Sequence, residues 1–567
     1  MNRALVAITC LAVTVSAQAD DDIGNRVLAA LEPHVAHSMT ANRTPGLALA
    51  LTGRDGVVVV HNWGVADLKT GAPVTDDTLF QIGSVTKSFT ALALLNAAEA
   101  GKLDLDKPVS DALPWFSVHS EFAPITPSHL LSHTAGIPAN RDDIYSSPYM
   151  AAALVQQRTA WAPGTNFHYS NIGYQTLHVL LETATGRDYA DILRDDFFDP
   201  LGMQHSEPAI RLESRSRQAV GYVAPYDDRP TDPSRELVEA QFDEYAFGDG
   251  CIQSTASDLA AYTRLWLNRG AMPDGRRVVS ETAFREFATI RPGAESVRDR
   301  GMGSPRRGYG YGVDIAEFDD GMILSHTGGM VGFLAFAGAD LRKGHGVAVL
   351  VNGPGEPLRI GRLALEIWAA IEAGEPLPAA PADDANPVNA AEFVGHYESA
   401  SGPPVEIRAT DGEVVLVRDG KPAVLASRGE DAFYSTAPEL ERYFVAFGRN
   451  DDGRVVEFVH GADWYTSKAY RGPREFNVPA EWAAFTGRYR NFSPWHPYFE
   501  VITRKGELLV ITGEGGETAS GSTRLVPLGE GRFRIGEDVT PEILAFHDLV
   551  DGQALRATWS GHVFYRQ

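Results

Sequence analysis

A stretch rich in proline, alanine and aspartate divides the chain into two halves with different hydrophobic patterns. Residues 376–389 cannot hold a regular helix or strand, so we expect a linker there. Before it, helical stretches such as 88–100 alternate with strand-like runs such as 47–51, 57–63 and 346–351. After it, short alternating strands are broken by turn dipeptides such as Asp-Gly. The sequence therefore predicts an α/β domain over residues 20–375, followed by antiparallel barrels or sandwiches.

The second half repeats itself, because three short segments recur in the same order. The pairs are 393–397 with 485–489, 412–416 with 506–510, and 464–471 with 559–566. Gly-x-Tyr and Asp-Gly arise by chance in many β meanders, but an ordered set of three pairs favours duplication. We therefore predict two similar β domains, over residues 390–474 and 475–567.

The N-terminus has the features of a secretory signal peptide. Arg3 supplies a positive charge, residues 4–15 are almost wholly apolar, and Ala-Gln-Ala at 17–19 offers a cleavage site before Asp20. The alternative is a membrane anchor, but the apolar run is shorter than the ~20 residues that a spanning helix needs. We therefore predict that residues 1–19 are removed and that the protein is periplasmic or secreted.

Charge and cysteine content narrow the classes of partner. The 567 residues carry a formal net charge of −24, which repels nucleic acid and anionic membrane surfaces. Cys10 lies in the predicted signal peptide, so Cys251 would remain alone, without an intramolecular disulfide. Neither His-Glu-x-x-His nor Cys-x-x-Cys spacing occurs, and we interpret His129 and His133 as scaffold residues. We expect a small-molecule or short-peptide substrate and no metal or other cofactor, while the oligomeric state stays open.

The first segment with catalytic character is Ser84-Val-Thr-Lys87, which precedes an apolar run typical of a helix. Residues three apart in a helix share a face, so the Lys87 amine can reach the Ser84 hydroxyl. A desolvated lysine can take the proton of such a nucleophile, and N–H groups at a helix start point toward a developing oxyanion. Ser-x-x-Lys alone is a weak signal, because a solvated pair of these common residues would be the better interpretation.

Two further segments strengthen the interpretation of Ser84 and Lys87 as a catalytic pair. In Tyr169-Ser-Asn171, extended backbone would place both outer side chains in one cleft, where a phenol can relay a proton and an amide can orient a lysine. The structural alternative is a Tyr169 packed against Phe167. In His326-Thr-Gly-Gly329, glycines inside a strand-like run indicate close approach to the backbone, by substrate or at a β-bulge.

Ser-x-x-Lys, Tyr-Ser-Asn and His-Thr-Gly, in this order, resemble the serine β-lactamase and penicillin-binding-protein superfamily. The resemblance covers roughly residues 25–370, and the class C β-lactamase, D-aminopeptidase and carboxylesterase branch is the most similar in motif. It implies an antiparallel sheet flanked by helices, with a helical lobe as the other wall of the cleft. D-aminopeptidases of this superfamily also carry two C-terminal β-barrels, which is the layout expected here.

The resemblance implies a role for each matching residue. Ser84 would be the nucleophile, Lys87 its base, Tyr169 the proton relay and Asn171 the orienting amide. The N–H groups of Ser84 and Gly329 would form the oxyanion hole, with Thr327 and Gly328 in the same substrate-binding strand. His326 departs from the Lys of penicillin-recognising members, so attraction for a substrate carboxylate is weaker.

These observations predict a serine hydrolase that forms an acyl-enzyme on Ser84 and cleaves small amides, with D-amino-acid peptides or amides ahead of other substrates. A carboxylesterase or a weak class C-type β-lactamase is the alternative within the same chemistry. A non-catalytic sensor of peptidoglycan or antibiotic is the alternative of a different class. The sequence does not rank the acids that could bind a substrate amine, which include Asp142, Asp143, Asp227 and Asp249.

Overall fold

The structure is a computed structural model. It describes residues 4–140, 147–295, 306–380, 389–399, 402–429, 431–513, 521–536 and 539–567, excluding the side chains of residues 4–21 and 147. Part of the predicted linker, residues 381–388, therefore lies outside the described residues, as do the side chains of the predicted signal peptide. The chain divides into two units. Of the described residues, those in 4–140, 147–223 and 237–380 form the first unit, and those in 224–236 and 389–567 form the second.

An antiparallel sheet of eight strands forms the centre of the first unit, in the order β3-β2-β1-β12-β11-β10-β9-β8. Its strands are β1 (Gly46–Thr52), β2 (Val57–Asp67), β3 (Ala72–Pro73), β8 (Arg306–Tyr309), β9 (Asp314–Phe318), β10 (Gly321–Met330), β11 (Phe333–Asp340) and β12 (His345–Val351). Two small two-stranded sheets accompany it, namely β4 (Phe80–Gln81) with β7 (Gln253–Ser254) and β5 (Tyr222–Val223) with β6 (Val238–Glu239). The predicted strands over 47–51, 57–63 and 346–351 are confirmed.

Helices cover both faces of this sheet. They are α1 (Ala4–Asn42), α2 (Thr86–Glu99), α3 (Val109–Ala112), α4 (Pro127–Leu131), α5 (Ser147–Ala153), α6 (Asn171–Thr185), α7 (Tyr189–Leu193), α8 (Asp199–Leu201), α9 (Ala256–Leu267), α10 (Glu281–Phe287) and α11 (Pro357–Ala373). Every residue of the central strands β1 and β12 is buried, because α1 and α11 pack on one face and α9 packs on the other. No helix in the described part of the chain is both long and apolar enough to cross a membrane.

Helix α2 lies deeper than its sequence suggests. Residues 88–100 are predicted to form an amphipathic helix, but α2 is buried on nearly all sides from Thr86 to Leu95. It packs against α6 and α10, and the 3₁₀ turn that leads into it, Gly83–Val85, lies against β10. Its first turn, which carries Lys87, is therefore held in the interior.

Two closed eight-stranded antiparallel barrels make up most of the second unit, as the fold-class prediction requires. The first contains β13 (Gly395–Glu398), β14 (Val405–Thr410), β15 (Glu413–Arg418), β16 (Lys421–Ser427), β17 (Ala432–Tyr434), β18 (Val445–Arg449), β19 (Val455–His460) and β20 (Asp463–Ser467). The second contains β21 (Gly487–Arg490), β22 (Tyr498–Arg504), β23 (Glu507–Ile511), β24 (Ser522–Gly529), β25 (Arg532–Ile535), β26 (Ile543–Val550), β27 (Gln553–Trp559) and β28 (His562–Arg566). Each barrel is filled by its own apolar core.

The barrels repeat one another, although one of the three sequence pairs is out of register. The first pair falls on β13 and β21, where the buried Tyr397 and Tyr489 hydroxyls each donate to a carbonyl four residues earlier, both at 2.9 Å. The second pair falls on β15 and β23. The third pair is wrong, because Trp464 lies on the last strand of its barrel, whereas Trp559 ends the strand before the last.

Residues 224–236 belong to the second unit, although the sequence places them inside the α/β domain. Charged side chains of this segment form ion pairs with residues of both barrels. Asp228 pairs with Arg442 at 2.5 Å, and Asp227 pairs with Arg490 at 2.6 Å. Arg229 and Arg235 both pair with Glu441 of the first barrel.

Candidate active site

Ser84 lies in a 3₁₀ turn, residues Gly83–Val85, that leads directly into α2. The preceding Gly83 has φ +50°, a left-handed conformation that favours glycine. A Cβ on Gly83 would also lie 2.7 Å from the Gly329 nitrogen, so a side chain there would collide with β10. The glycine thus permits the turn that presents Ser84 beside this strand.

Lys87 lies one turn further along and is fully buried. Its Nζ donates to three acceptors: Ser84 Oγ at 3.0 Å, Asn171 Oδ1 at 2.7 Å and the Asp249 carbonyl oxygen at 2.8 Å. The predicted contact between Lys87 and Ser84 is therefore present in the structure. The other two contacts fix the amine in position beside the hydroxyl.

Burial changes the proton affinity of this amine. Desolvation lowers the Lys87 pKa from its ordinary value to about 8, against an opposing effect of the Asp249 charge. Burial raises the pKa of the Asp249 carboxyl, while Lys87 opposes that rise. Near neutral pH, Lys87 can therefore lose its proton far more readily than a lysine in water.

Tyr169 and Asn171 both lie at Lys87, as their spacing predicts. The Lys87 Nζ lies 4.9 Å from the centre of the Tyr169 ring. The backbone differs from the prediction, because only Tyr169 and Ser170 precede the helix and Asn171 is the first residue of α6. Ser170 caps α6 by accepting from the Gly173 N–H at 3.2 Å, and this cap holds both neighbours at the helix start.

A histidine ring packs against Tyr169. The His133 ring lies 4.2 Å from the Tyr169 ring, and its Nδ1 accepts from the Ser170 N–H at 3.0 Å. His133 therefore orients the Tyr169 segment. His129 supports another turn, since it completes a capping box with Thr126 at the start of α4. These contacts agree with a scaffold interpretation of both histidines.

His326 is buried in β10 with its ring 6.3 Å from that of Tyr169. Its Nδ1 lies 2.6 Å from the Thr327 carbonyl oxygen, and its Nε2 lies 2.8 Å from the Tyr309 hydroxyl. A carbonyl only accepts, so the hydrogen-bond network assigns the proton to Nδ1. In the neutral ring, Nε2 then accepts from Tyr309. Both hydrogen bonds can therefore form while the His326 ring is neutral.

Backbone approach explains the glycines of β10. A Cβ on Gly328 would overlap the Ile82 carbonyl oxygen and lie 3.2 Å from the Ser84 nitrogen. A Cβ on Gly329 would meet only Leu334, at an ordinary 3.7 Å, and Gly329 is exposed. Gly328 therefore allows β10 to lie against Ser84, and Gly329 faces outward beside it.

A buried acid beneath Lys87 was not ranked from the sequence. Asp249 has its carboxyl in contact with the Tyr245 hydroxyl, at 2.9 and 3.0 Å, and Tyr245 in turn accepts from Gln175 Nε2 at 3.2 Å. Asn140 accepts from Asn171 Nδ2 at 2.5 Å. These residues come from distant segments without a motif, so no periodicity or spacing could have indicated them.

The acids considered for amine recognition can now be placed in part. Asp142 and Asp143 lie outside the described residues. Asp227 is paired with Arg490 in the second unit, and Asp249 is buried. Among the described residues, His, Cys, Asp and Glu form no cluster that could hold a metal ion.

Comparison with known proteins identifies the family. The family profile described as Beta-lactamase matches residues 31–370, which is more than half of the chain. The chain is similar to Penicillin-binding protein 4 of Amycolatopsis lactamdurans, with 31% identity over 376 residues, covering 64% of this chain and 96% of the relative. It is 28% identical to Penicillin-binding protein 4* of Bacillus subtilis (strain 168), covering 51% of this chain and 63% of that relative. It is 29% identical to a Beta-lactamase of Yersinia enterocolitica, covering 42% of this chain and 58% of that relative.

Solved structures share the fold. The octameric penicillin-binding protein homologue from Pyrococcus abyssi superposes with a TM-score of 0.55 at 24% identity, covering 77% of this chain and 98% of the homologue. A class C beta-lactamase mutant superposes with a TM-score of 0.50 at 23% identity, covering 61% of this chain and 97% of the mutant. The chain is therefore a member of the beta-lactamase and penicillin-binding-protein family of serine hydrolases.

Proposed function

We propose that this protein hydrolyses small amides through a covalent acyl-enzyme on Ser84. The observation that carries the proposal is the Lys87 Nζ, fully buried, 3.0 Å from the Ser84 Oγ. A serine hydroxyl attacks poorly until a base takes its proton, and burial supplies a lysine with a pKa of about 8. The fixed contact and the reduced proton affinity together match a nucleophile with its base.

In the acylation step, neutral Lys87 takes the Ser84 proton while Oγ bonds to the substrate carbonyl carbon. The carbonyl π electrons move to oxygen, and the resulting oxyanion lies between the N–H groups of Ser84 and Gly329. Gly328 makes this geometry possible, because it lets β10 approach the Ser84 backbone. Asn171 holds the amine on the Ser84 side through its 2.7 Å contact.

Collapse of the tetrahedral intermediate breaks the C–N bond, and the leaving amine needs a proton. Lys87, now an ammonium, supplies it through Tyr169, whose ring lies beside the amine. Water then attacks the acyl-enzyme, loses a proton to the same base, and releases the acid with Ser84 regenerated. The His326 ring lies near the Tyr169 ring, and its Nε2 is hydrogen-bonded to the Tyr309 hydroxyl.

His326 supports the substrate class that we propose. Both of its hydrogen bonds can form with a neutral ring, and a histidine does not supply the permanent cation of a lysine, so its attraction for a substrate carboxylate is weaker. This supports amides or peptides of D-amino acids, as does the presence of two C-terminal barrels. A carboxylesterase is the alternative. A weak class C-type β-lactamase is a further candidate, supported by the similarity to a Beta-lactamase of Yersinia enterocolitica.

The first test uses three chromogenic substrates with purified residues 20–567: D-alanine p-nitroanilide, p-nitrophenyl acetate and nitrocefin. We expect turnover of at least one, preferably the anilide, and loss of it in Ser84→Ala. Ser110→Ala, at an exposed position on α3, is the matched control and should keep the activity. Equal rates for Ser84→Ala and the control on all three substrates would reject Ser84 as the nucleophile.

A sensor would behave differently from an enzyme, because it would acylate without deacylating. Intact-mass measurement after mixing with nitrocefin distinguishes the two. A hydrolase returns to its original mass once substrate is exhausted, whereas a sensor retains one acyl group per chain. A periplasmic or secreted location, after removal of residues 1–19, is part of the proposal. N-terminal sequencing of the exported protein tests it.

A further inference from the structure

The base of the proposed reaction has an acid directly beneath it. The Asp249 carbonyl oxygen accepts from the Lys87 Nζ at 2.8 Å, and the Asp249 residue is only 5% exposed. Burial of this kind keeps the carboxyl away from substrate. Any influence of Asp249 on the reaction must therefore act through Lys87.

The hydrogen bonds around the carboxyl suit an anion. Both carboxyl oxygens lie within 3.0 Å of the Tyr245 hydroxyl, which donates its proton to them. Gln175 Nε2 donates to the Tyr245 oxygen at 3.2 Å, so the chain of donors runs from Gln175 through Tyr245 to Asp249. Donors stabilise a carboxylate more than a carboxylic acid. These hydrogen bonds lower the pKa of the Asp249 carboxyl and so oppose the larger effect of burial, which raises it.

Titratable groups from several elements surround this pair. Those acting on the amine or the carboxyl are Tyr169 before α6, Tyr174 on α6, Tyr189 on α7, and Tyr245 and Cys251 beside Asp249. His178 of α6 accepts from the Gly248 N–H at 3.2 Å and lies 3.6 Å from Glu182. The tyrosines and the cysteine are neutral when protonated, and Lys87 is the cation that acts on the Asp249 carboxyl. The dominant electrostatic partner of each member is therefore the other.

We propose that Asp249 is a positioning residue that holds Lys87 as an ammonium in the resting protein and so sets the pH at which Lys87 becomes the base for Ser84. The inference rests on the proposed function of Lys87. The carboxyl belongs to the residue whose backbone carbonyl contacts the amine, and a nearby negative charge lowers the free energy of the ammonium form, so a higher pH is needed to release its proton. No bond changes at Asp249 itself. Its backbone carbonyl holds the Lys87 amine in position, and its carboxylate favours the positively charged form of that amine.

The test is the pH profile of kcat/KM between pH 5 and 10, with the anilide or whichever substrate turns over. Asp249→Asn keeps the shape and the Tyr245 hydrogen bond but removes the charge. We expect the midpoint of the acid limb to fall by about one pH unit or more, the shift typical of a nearby opposite charge. Asp249→Glu should restore a midpoint closer to that of the native protein. An unchanged midpoint in Asp249→Asn would overturn the inference.

Two further variants guard against a purely structural effect. Tyr245→Phe removes the donor to the carboxylate and should move the midpoint in the same direction by a smaller amount. Asp340→Asn removes a buried carboxylate that pairs with Arg342 at 2.7 Å, away from Lys87, and should leave the midpoint unchanged. A shift of equal size in Asp340→Asn would overturn the inference, because loss of any buried acid would then produce it.

A readout without turnover separates this inference from the proposed function. Chemical denaturation of the native protein, Asp249→Asn, Lys87→Met and the double variant gives a coupling between the two sites. We expect coupling at pH 7 that declines above pH 8, where Lys87 loses its charge. Such coupling without turnover of any substrate would reject the proposed function and retain the electrostatic link. Turnover with no coupling at any pH would reject the link alone.

Discussion

Gly328→Ala tests whether close approach of β10 to Ser84 is required for activity. The added Cβ would overlap the Ile82 carbonyl oxygen and lie 3.2 Å from the Ser84 nitrogen, so the strand must move away from the turn that carries Ser84. Overpacking of this kind costs about 1–3 kcal/mol of unfolding free energy. Displacement of an oxyanion donor costs roughly 10²–10³-fold in kcat. We therefore expect a folded protein with a lowered melting temperature and a loss of activity within that range.

Gly329→Ala is the matched comparison, one residue away on the same strand. Its Cβ would meet Leu334 at 3.7 Å, an ordinary contact, so the melting temperature should stay close to native. Initial rates and thermal unfolding of both variants are the measurements. If Gly328→Ala loses no more activity and no more stability than Gly329→Ala, the argument from backbone approach is wrong.

Three further predictions follow from other contacts. Because the Lys87 pKa is about 8, kcat/KM of the native protein should rise about tenfold per pH unit below that value and level off above it, and a flat profile from pH 6 to 10 would contradict Lys87 as base. Ser170→Ala removes the N-cap of α6 and should lower the unfolding free energy by about 1 kcal/mol in urea titration, whereas an unchanged midpoint would show that the cap is dispensable. Glu441→Gln removes the carboxylate that holds Arg235, worth about 1.5 kcal/mol, and should speed tryptic cleavage within residues 224–236 about tenfold. The exposed Glu439→Gln should leave that cleavage rate unchanged.

The sequence predicted the parts of the site that depend on local geometry. Ser84 and Lys87 are three residues apart at a helix start, so their contact follows from helical periodicity alone. Tyr169 and Asn171 were placed together correctly, although the reason given was extended backbone and Asn171 in fact begins α6. Asp249 could not be ranked, because its importance comes from packing against a helix more than 160 residues earlier in the chain.

For the fold too, the sequence predicted what depends on local pattern and not what depends on contacts between distant residues. Alternation of apolar residues indicated the strands of both barrels, since each strand contributes one face to a closed core. The third pair of repeated segments was matched wrongly. The two segments share Trp and Arg residues, but their Trp residues lie on strands that occupy different places in the two barrels. Residues 224–236 belong to the same unit as the barrels and form ion pairs with them. The sequence could not predict this, because the charge of a loop residue does not indicate which distant residue it pairs with.

One packing contact, between β10 and the 3₁₀ turn that leads into α2, determines several features of the candidate site together. It requires glycine at positions 83 and 328, because any side chain there would separate the two elements. The same approach brings the Gly329 backbone against Gly83, next to Ser84, and burial of the α2 start lowers the Lys87 pKa. A substitution that loosens this contact should therefore weaken oxyanion binding and raise the Lys87 pKa at once, since water would reach the amine. Independent changes of the two properties would show instead that each is set locally.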